Sequence, residues 1–548
     1  MNALSLAPPV LVLVLGFLTK RVLLSLGCGV FLAAFLAKDF SLIAAMEFGA
    51  REFWKTLELE VLFNPQTFWQ SWNGFICIFL LSLGILITLV HHCGGAFAYE
   101  RFIKKKLRSR KHVEASALLL SKCLCIDDYF SSLTVGSVMY SVTDAYRIAR
   151  AKLAFLVDAM AAPLTILCPV SSWVAAIVGF LRENGVHSQV NSGTKIIGSP
   201  FFAYLQMIPY IFYSFIVIFG AWFIVFRSIS FGLMGQHEKH ALATGNVFNG
   251  KTGPNKEINQ RDQFKEKDCA LIDFLCPILV LVAGILLGIL YSGKWSGLGG
   301  SFPLFVALRE ASAAQSLFIG GFSSLMITIC FFIFRNKLHL RQLPSLFKQG
   351  IALMATPCLV LILAWTLGGI LSNNLGTGSY LAHLLIGNIP EKFLPVMFFI
   401  ASTLTSFAIG SSWGTAAIMF PICVELVIAV TVGDVPFLIT DTKLLFPTLG
   451  AILSGCVAGD HISPISDTTI MSSTSTAMEH PVHVETQMTY AVPLICIAAF
   501  SYLCLGFFLD WGAVFAVILS LSIAAGTICI FFSYRNKRER TKVMAAEK

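Results

Sequence analysis

Apolar windows long enough to cross a lipid hydrocarbon core recur along this chain, among them Phe201–Phe226, Leu271–Leu290, Ile351–Leu371 and Trp511–Phe532. Each meets the ~20 residues that a spanning helix needs. Backbone in lipid must satisfy its own hydrogen bonds, which leaves helices and closed barrels. The ten-residue alternation of a membrane barrel is absent. The expected fold is therefore all-α and polytopic, with about 11–13 membrane segments. The clearest lie near 4–18, 22–37, 67–91, 152–181, 201–227, 270–291, 315–334, 349–372, 489–509 and 511–533. Composition decides against a soluble protein: 56% of residues are hydrophobic and 13% charged, where an average soluble chain is about 25% charged.

The net charge of +9 reads as topology, because the basic residues sit in short clusters beside spans. No basic and aromatic domain is large enough for nucleic acid. The richest cluster, Arg101–Lys111, is expected in the cytoplasm, with Lys20, Arg21 and the basic tail 535–548 on the same side. Arg147, Arg150 and Lys152 also look cytoplasmic, so 113–145 enters and returns on one side as a re-entrant hairpin or broken helix, unless that second cluster lies outside. The hydrophilic stretch 234–268 has no helical apolar period and reads as a flexible cytoplasmic linker. It separates an N-terminal membrane half, 1–233, from a C-terminal half, 269–534. The 15 cysteines have no paired spacing, which argues against disulfides or a zinc site. Arg309 and Glu310 are expected to pair at a span entrance.

Two segments place carboxylates and hydroxyls where the flanking sequence is oil. One is Cys125-Ile126-Asp127-Asp128-Tyr129-Phe130-Ser131-Ser132; the other is Gly459-Asp460-His461-Ile462-Ser463-Pro464-Ile465-Ser466-Asp467-Thr468-Thr469. An ionisable group in a bilayer costs several kcal/mol, so it marks an ion or proton pathway by default. A shift of 332 residues sets Asp128 on Asp460, Ser131 on Ser463 and Met139 on Met471. Paired interrupted segments in two halves point to a secondary transporter's site. We therefore expect two related halves with discontinuous or re-entrant helices.

Pro464 makes a continuous helix from Asp460 to Asp467 unfavourable, because it removes a backbone donor and clashes with the preceding turn. Broken helix ends expose carbonyls that suit Na⁺. Ser463, Ser466, Thr468 and Thr469 add hydroxyl oxygens, and Asp128, Asp460 and Asp467 are the expected Na⁺-ligating carboxylates. The same carboxylates can take a proton, and that competition is sufficient for exchange. Helix capping by Asp460 or Asp467 is the bland alternative. His461 is either a proton relay or a satisfied interior histidine. Asp127 and Asp128 point ~100° apart on a helix, so one can face a cavity while the other pairs with Lys122 or caps. Ser411, Ser412, Trp413 and Thr415, with Gly410 and Gly414, form a small-residue break that either lines a site or packs helices closely; Ser171-Ser172-Trp173 echoes it. Asp158 and Glu425 stand alone in apolar stretches, as relays or as packed groups.

No Walker A loop, Gly-x-Ser-x-Gly elbow or His-Glu-x-x-His element is present, so neither an ATPase engine nor an enzyme is expected. The string Gly459 to Ile470, with Ser411-Ser412-Trp413-Gly414-Thr415 and Asp127-Asp128 in the same order, resembles the NhaC-type Na⁺/H⁺ antiporter family. The resemblance spans most of 113–510. It implies a multi-pass transporter of the cell (inner or plasma) membrane, with paired repeats, that exchanges Na⁺ for H⁺ without a resident cofactor. Some relatives exchange organic acids or move amino acids, which is the alternative expectation here: a Na⁺- or H⁺-coupled carrier of a small organic anion or amino acid. Ser411-Ser412 departs from the family's Thr-Ser but keeps both hydroxyls. The expected partners are the bilayer, a small cation and, for a homo-oligomer, a second copy of the chain.

Overall fold

A computed structural model of the chain describes residues 3–19, 21–106, 109–190, 193–250, 270–304, 306–307, 311–376, 390–431 and 436–546. Its helices run α1 Ala7–Thr19, α2 Val22–Ala37, α3 Leu42–Thr56, α4 Leu59–Phe63, α5 Asn73–His92, α6 Gly95–Lys106, α7 Arg110–Cys123, α8 Asp128–Ala145, α9 Arg150–Thr165, α10 Ser172–Glu183, α11 Pro200–Met207, α12 Phe212–Arg227, α13 Gly232–Thr244, α14 Ile272–Ser292, α15 Ala313–Phe334, α16 Leu343–Ile370, α17 Leu394–Ile409, α18 Ser412–Thr431, α19 Leu445–Asp460, α20 Asp467–Ser475, α21 His480–Phe508 and α22 Ala513–Ala546. Among the described residues, eight helices are long and apolar enough to cross a membrane, and three more apolar ones are shorter. Helices α2, α5, α14, α15 and α16 pack into one wall. A three-stranded parallel sheet of two-residue strands, β1 Val186–His187, β2 Ile196–Ile197 and β3 Phe437–Leu438, closes one end of the bundle.

Four segments are interrupted. The breaks lie at 124–127 between α7 and α8, 166–171 between α9 and α10, 410–411 between α17 and α18, and 461–466 between α19 and α20. α7 packs along α8, and α17 along α18, so each pair is a hairpin. α9 and α10, like α19 and α20, do not pack along one another; each pair is one broken span. Each half therefore runs hairpin, then broken span.

The hairpins open at opposite ends. At one end, Arg110 at the start of α7 and Lys152 at the start of α9 both bind Glu238 of α13. This end also holds the tail helix, where Asn536 accepts a hydrogen bond from the Ser230 amide. Hairpin 1 thus enters and returns on one side, which decides the question left by the two basic clusters. At the other end, hairpin 2 begins beside Lys392, which pairs with Asp510 between α21 and α22, and the chain leaving α18 joins the sheet beside the end of α10. The halves are inverted. After α20, the crossings α21 and α22 bring the basic tail back to the first end, so an inverted repeat and a tail beside the first basic cluster coexist.

The halves are interlocked as well as inverted. α20 of the second broken span packs on α8 of hairpin 1, and α10 of the first broken span packs on α18 of hairpin 2. Gly136 of α8 allows the first contact: a Cβ there would lie 1.9 Å from Ser475 Oγ. Trp173 and Trp413 make the second, with ring centroids 5.1 Å apart, followed by Phe180 and Phe420 at 5.6 Å.

Two expectations are corrected. The offset of 332 sets a hairpin tip on a broken span; by order of elements, the Asp127-Asp128 tip corresponds to Ser411-Ser412, and the 166–171 break to 461–466. The offset matched capping chemistry, because Asp and Ser recur wherever a helix restarts. The expected flexible linker begins as helix α13, held by buried Met234, Glu238 and Ala241. Their i, i+4, i+7 spacing is a helical face, obscured by the polar residues around it. Residues 251–269 and the expected Arg309–Glu310 pair lie outside the described residues.

On a background lacking native cysteines, H112C and A145C are expected to react with a membrane-impermeant maleimide from one side of the membrane, and K392C from the other. Reaction of the first two from opposite sides contradicts the hairpin.

Candidate ion-binding centre

The four breaks meet. The Ser172 amide donates to the Ile126 carbonyl over 2.9 Å, tying the first broken span to the hairpin 1 tip. Ser463 Oγ donates to the Phe407 carbonyl over 2.9 Å, tying the second broken span to hairpin 2. Gly410 adopts φ +70°, and a Cβ there would lie 2.6 Å from Ile465 Cγ1, so only glycine fits the tip against the second break. Within the first half, Trp173 Nε1 donates to Asp128 Oδ2 over 3.0 Å; across the halves, Tyr129 Oη donates to Asp467.

Three of the four restarting helices, α8, α18 and α20, are capped by a side chain drawn from the expected site residues. Asp127 caps α8 by accepting from the Phe130 amide at 2.8 Å, and its second oxygen, Oδ2, has no hydrogen-bond partner. Ser466 caps α20 by accepting from the Thr469 amide at 3.2 Å. Ser411 Oγ accepts from the Gly414 amide at 3.2 Å, and Thr415 Oγ1 returns a bond to the Ser411 carbonyl over 2.9 Å. Ser412 Oγ donates to the Cys456 carbonyl over 3.1 Å. Ser171, the cap residue of α10, makes no capping bond and its Oγ has no partner. Ser131 and Ser132 are likewise buried with unbonded hydroxyls.

The carboxylates form a string. Asp460, fully buried, accepts from Thr468 Oγ1 at 2.5 Å through Oδ2, while Oδ1 has no partner. Because the Thr468 proton is used there, Ser466 Oγ is the donor in its 3.1 Å contact with Thr468 Oγ1. Asp467 accepts from Tyr129 and from the Thr468 amide. Among the described residues no three His, Cys, Asp or Glu side chains are grouped as they would be around one metal ion. Lys122 is exposed and pairs with neither Asp127 nor Asp128.

Asp158 of α9 is the residue the sequence placed too low. It accepts from Thr469 Oγ1 at 3.2 Å, Ser472 Oγ at 3.2 Å and Gln487 Nε2 at 2.5 Å, with His483 Nε2 at 3.7 Å. His461 Nε2 lies 3.0 Å from the Asp158 carbonyl. A carbonyl only accepts, so Nε2 carries the proton and Nδ1 accepts from Tyr213 Oη at 3.1 Å. Both nitrogens of His461 are therefore engaged. Glu425, the other lone acid, is paired with Lys195 and stands apart from the centre. Gln487, His483 and Tyr213 had one signal in sequence: polar groups in otherwise apolar helices.

Two interrupted, inverted, interlocked halves around a buried polar centre define a multi-pass membrane protein of the secondary-transporter class. The chain belongs to the Na⁺/H⁺ antiporter family, whose profile matches residues 164–507. It is 31% identical over 536 residues to an uncharacterised protein of Haemophilus influenzae, covering 97% of this chain and 95% of that one. It is 25% identical over 236 residues to the malate-2H⁺/Na⁺-lactate antiporter of Bacillus subtilis, covering 42% and 43%. Among solved structures it is similar to MtrF of Neisseria gonorrhoeae, described within a class of antimetabolite efflux pumps, at 13% identity and TM-score 0.44 over 86% of this chain and 85% of that one. A second is the YdaH transporter of Alcanivorax borkumensis, at 12% identity and TM-score 0.38 over 82% and 90%.

Replacing Asp158 by Ala strands three buried donors, each costing ~1–3 kcal/mol. Asp158→Ala is expected to lower the melting temperature of the detergent-solubilised protein well below that of Asp158→Asn, whose amide oxygen still accepts. Equal melting of the two variants would show that these bonds hold nothing together.

Proposed function

We propose that this protein exchanges Na⁺ for H⁺, with Asp460 as the carboxylate that alternates between them. The observation that carries the reading is the unequal satisfaction of two fully buried acids. Asp158 receives three side-chain hydrogen bonds; bonds to a charged group contribute ~1.5–3 kcal/mol each, which offsets a burial cost of several kcal/mol. Asp460 receives one side-chain bond and keeps a bare oxygen. It therefore needs a proton or a cation. Asp127 Oδ2 and the free hydroxyls of Ser131, Ser132 and Ser171 supply further hard oxygens at the other breaks, suited to a small cation. An empty ionised site is expensive to move through an apolar layer. A site filled by either Na⁺ or H⁺ is not, and that restriction produces exchange. In this reading Asp158, Thr469 and Gln487 position the second break, and His461 holds it to α9 and α12. The protein sits in the cell membrane with the Arg110–Lys152 end in the cytoplasm, as the distribution of basic residues favours.

In proteoliposomes holding a pH dye and an imposed pH gradient, added Na⁺ is expected to collapse the gradient with wild type and not with Asp460→Asn. Because proton and cation compete for one oxygen pair, the apparent KM for Na⁺ is expected to rise as pH falls, approaching about tenfold per unit. A KM independent of pH, or full activity in Asp460→Asn, contradicts the shared carboxylate.

A second reading rests on α10. Its N-terminus lies at the centre with Ser171 not capping it, and helix N-termini favour carboxylates. The Bacillus subtilis relative is named for malate and lactate exchange. Na⁺-dependent uptake of labelled malate or lactate, lost in Ser171→Val, would favour this reading; Na⁺-driven proton movement with no effect of either acid would remove it.

A further inference from the structure

At the basic end of the bundle, three helices from distant parts of the chain turn cations into one small cleft. It has a volume of about 360 Å³ and is lined by Lys111 of α7, Phe226, Arg227 and Ile229 at the end of α12, and Ser533, Asn536 and Lys537 of α22. We infer that this cleft holds the phosphate of an anionic phospholipid headgroup. Among the described residues, no carboxylate lines it. The acids of this end, Glu114, Glu238 and Glu539, line the adjoining cavity instead, and the first two are engaged by Lys152 and Arg110. Among the described residues, Lys111, Arg227 and Lys537 make no ion pair.

The cleft is braced from within. The Lys111 ammonium donates to the Phe226 carbonyl over 3.2 Å, holding α7 to the end of α12. Asn536 accepts from the Ser230 amide over 3.3 Å, and Arg535 lies over the Phe231 ring at 5.4 Å, holding α22 to the turn after α12. An apolar flank descends from it on both helices. Phe219 and Phe226 of α12 and Ile530 and Tyr534 of α22 are 41%, 60%, 74% and 61% exposed, and Trp222 stacks on Phe226 with centroids 5.3 Å apart. Aromatic side chains of this kind mark the headgroup level of a bilayer. Cations above an exposed apolar flank match a phosphate joined to acyl chains, and basic pockets between spanning helices take acidic headgroups by this chemistry. A free phosphate would use the cations and leave the exposed apolar flank unexplained. The inference depends on the chain spanning a membrane and not on which solute it carries.

The test uses the full-length protein in detergent, titrated with dioleoylphosphatidylglycerol or dioleoylphosphatidylcholine, and reads lipid retained by native mass spectrometry with the melting temperature alongside. Wild type is expected to retain phosphatidylglycerol and shed phosphatidylcholine. R227Q/K537Q is expected to retain about five-fold less for each cation removed, while K239Q, in the adjoining cavity, retains as wild type does. Should the double variant not remain monodisperse, K111Q and K537Q are read singly against the same expectation. Equal retention of the two lipids, or undiminished retention in the variants, overturns the inference. Displacement of phosphatidylglycerol by millimolar inorganic phosphate also overturns it, in favour of a free anion.

Discussion

A helix interrupted inside an apolar layer strands amides and carbonyls that water cannot reach, and the rest of this structure follows from where those groups find partners. Four interruptions brought to one place satisfy one another. The Ile126 carbonyl takes the Ser172 amide, the Phe407 carbonyl takes Ser463, and the Cys456 carbonyl takes both Ser406 and Ser412. Other bonds cross between the halves, from Tyr129 to Asp467 and from Ser475 Oγ to the Ser132 carbonyl, and interlock them. α20 can lie on α8, and α10 on α18, only if each broken span passes across the opposite hairpin.

Buried acids divide by the same criterion. Asp158 is surrounded by donors from α20 and α21 and acts as a peg between the halves. Asp127 and Asp460 spend one oxygen on the protein and leave the other unbonded. The unequal sharing separates what holds the centre together from what can exchange a ligand. It also accounts for His461, whose two nitrogens are fixed by the Asp158 carbonyl and Tyr213, so that its ring aligns the break beside Asp460.

Much of this was legible in the sequence, for a local reason. Breaks need caps, caps are Asp and Ser, and in an oily chain such residues stand out, so 125–132, 410–415 and 459–469 all read as interruptions. The two basic clusters offered the re-entrant course of hairpin 1 as one of two readings, the other placing the second cluster outside. What was not legible depended on distance along the chain. Asp158 and Gln487 are 329 residues apart; each stands out as a polar group in an apolar helix, but nothing local names its partner. The repeat register failed because capping chemistry is identical at hairpin tips and span breaks. Helix α13 was hidden because its buried residues, Met234, Gly235, His237, Glu238 and Ala241, include two polar side chains and a glycine, with an ion pair at Glu238 substituting for oil.

The central claim is that the four interruptions form one centre that responds as a unit to the transported cation. Hydrogen exchange read by mass spectrometry on the protein in nanodiscs, with and without Na⁺ at fixed ionic strength, tests it directly. Added Na⁺ is expected to slow exchange together at 124–132, 166–172, 410–415 and 461–469, and Asp460→Asn is expected to abolish the response at all four. Protection confined to one break, or unchanged by Na⁺, would contradict a shared centre.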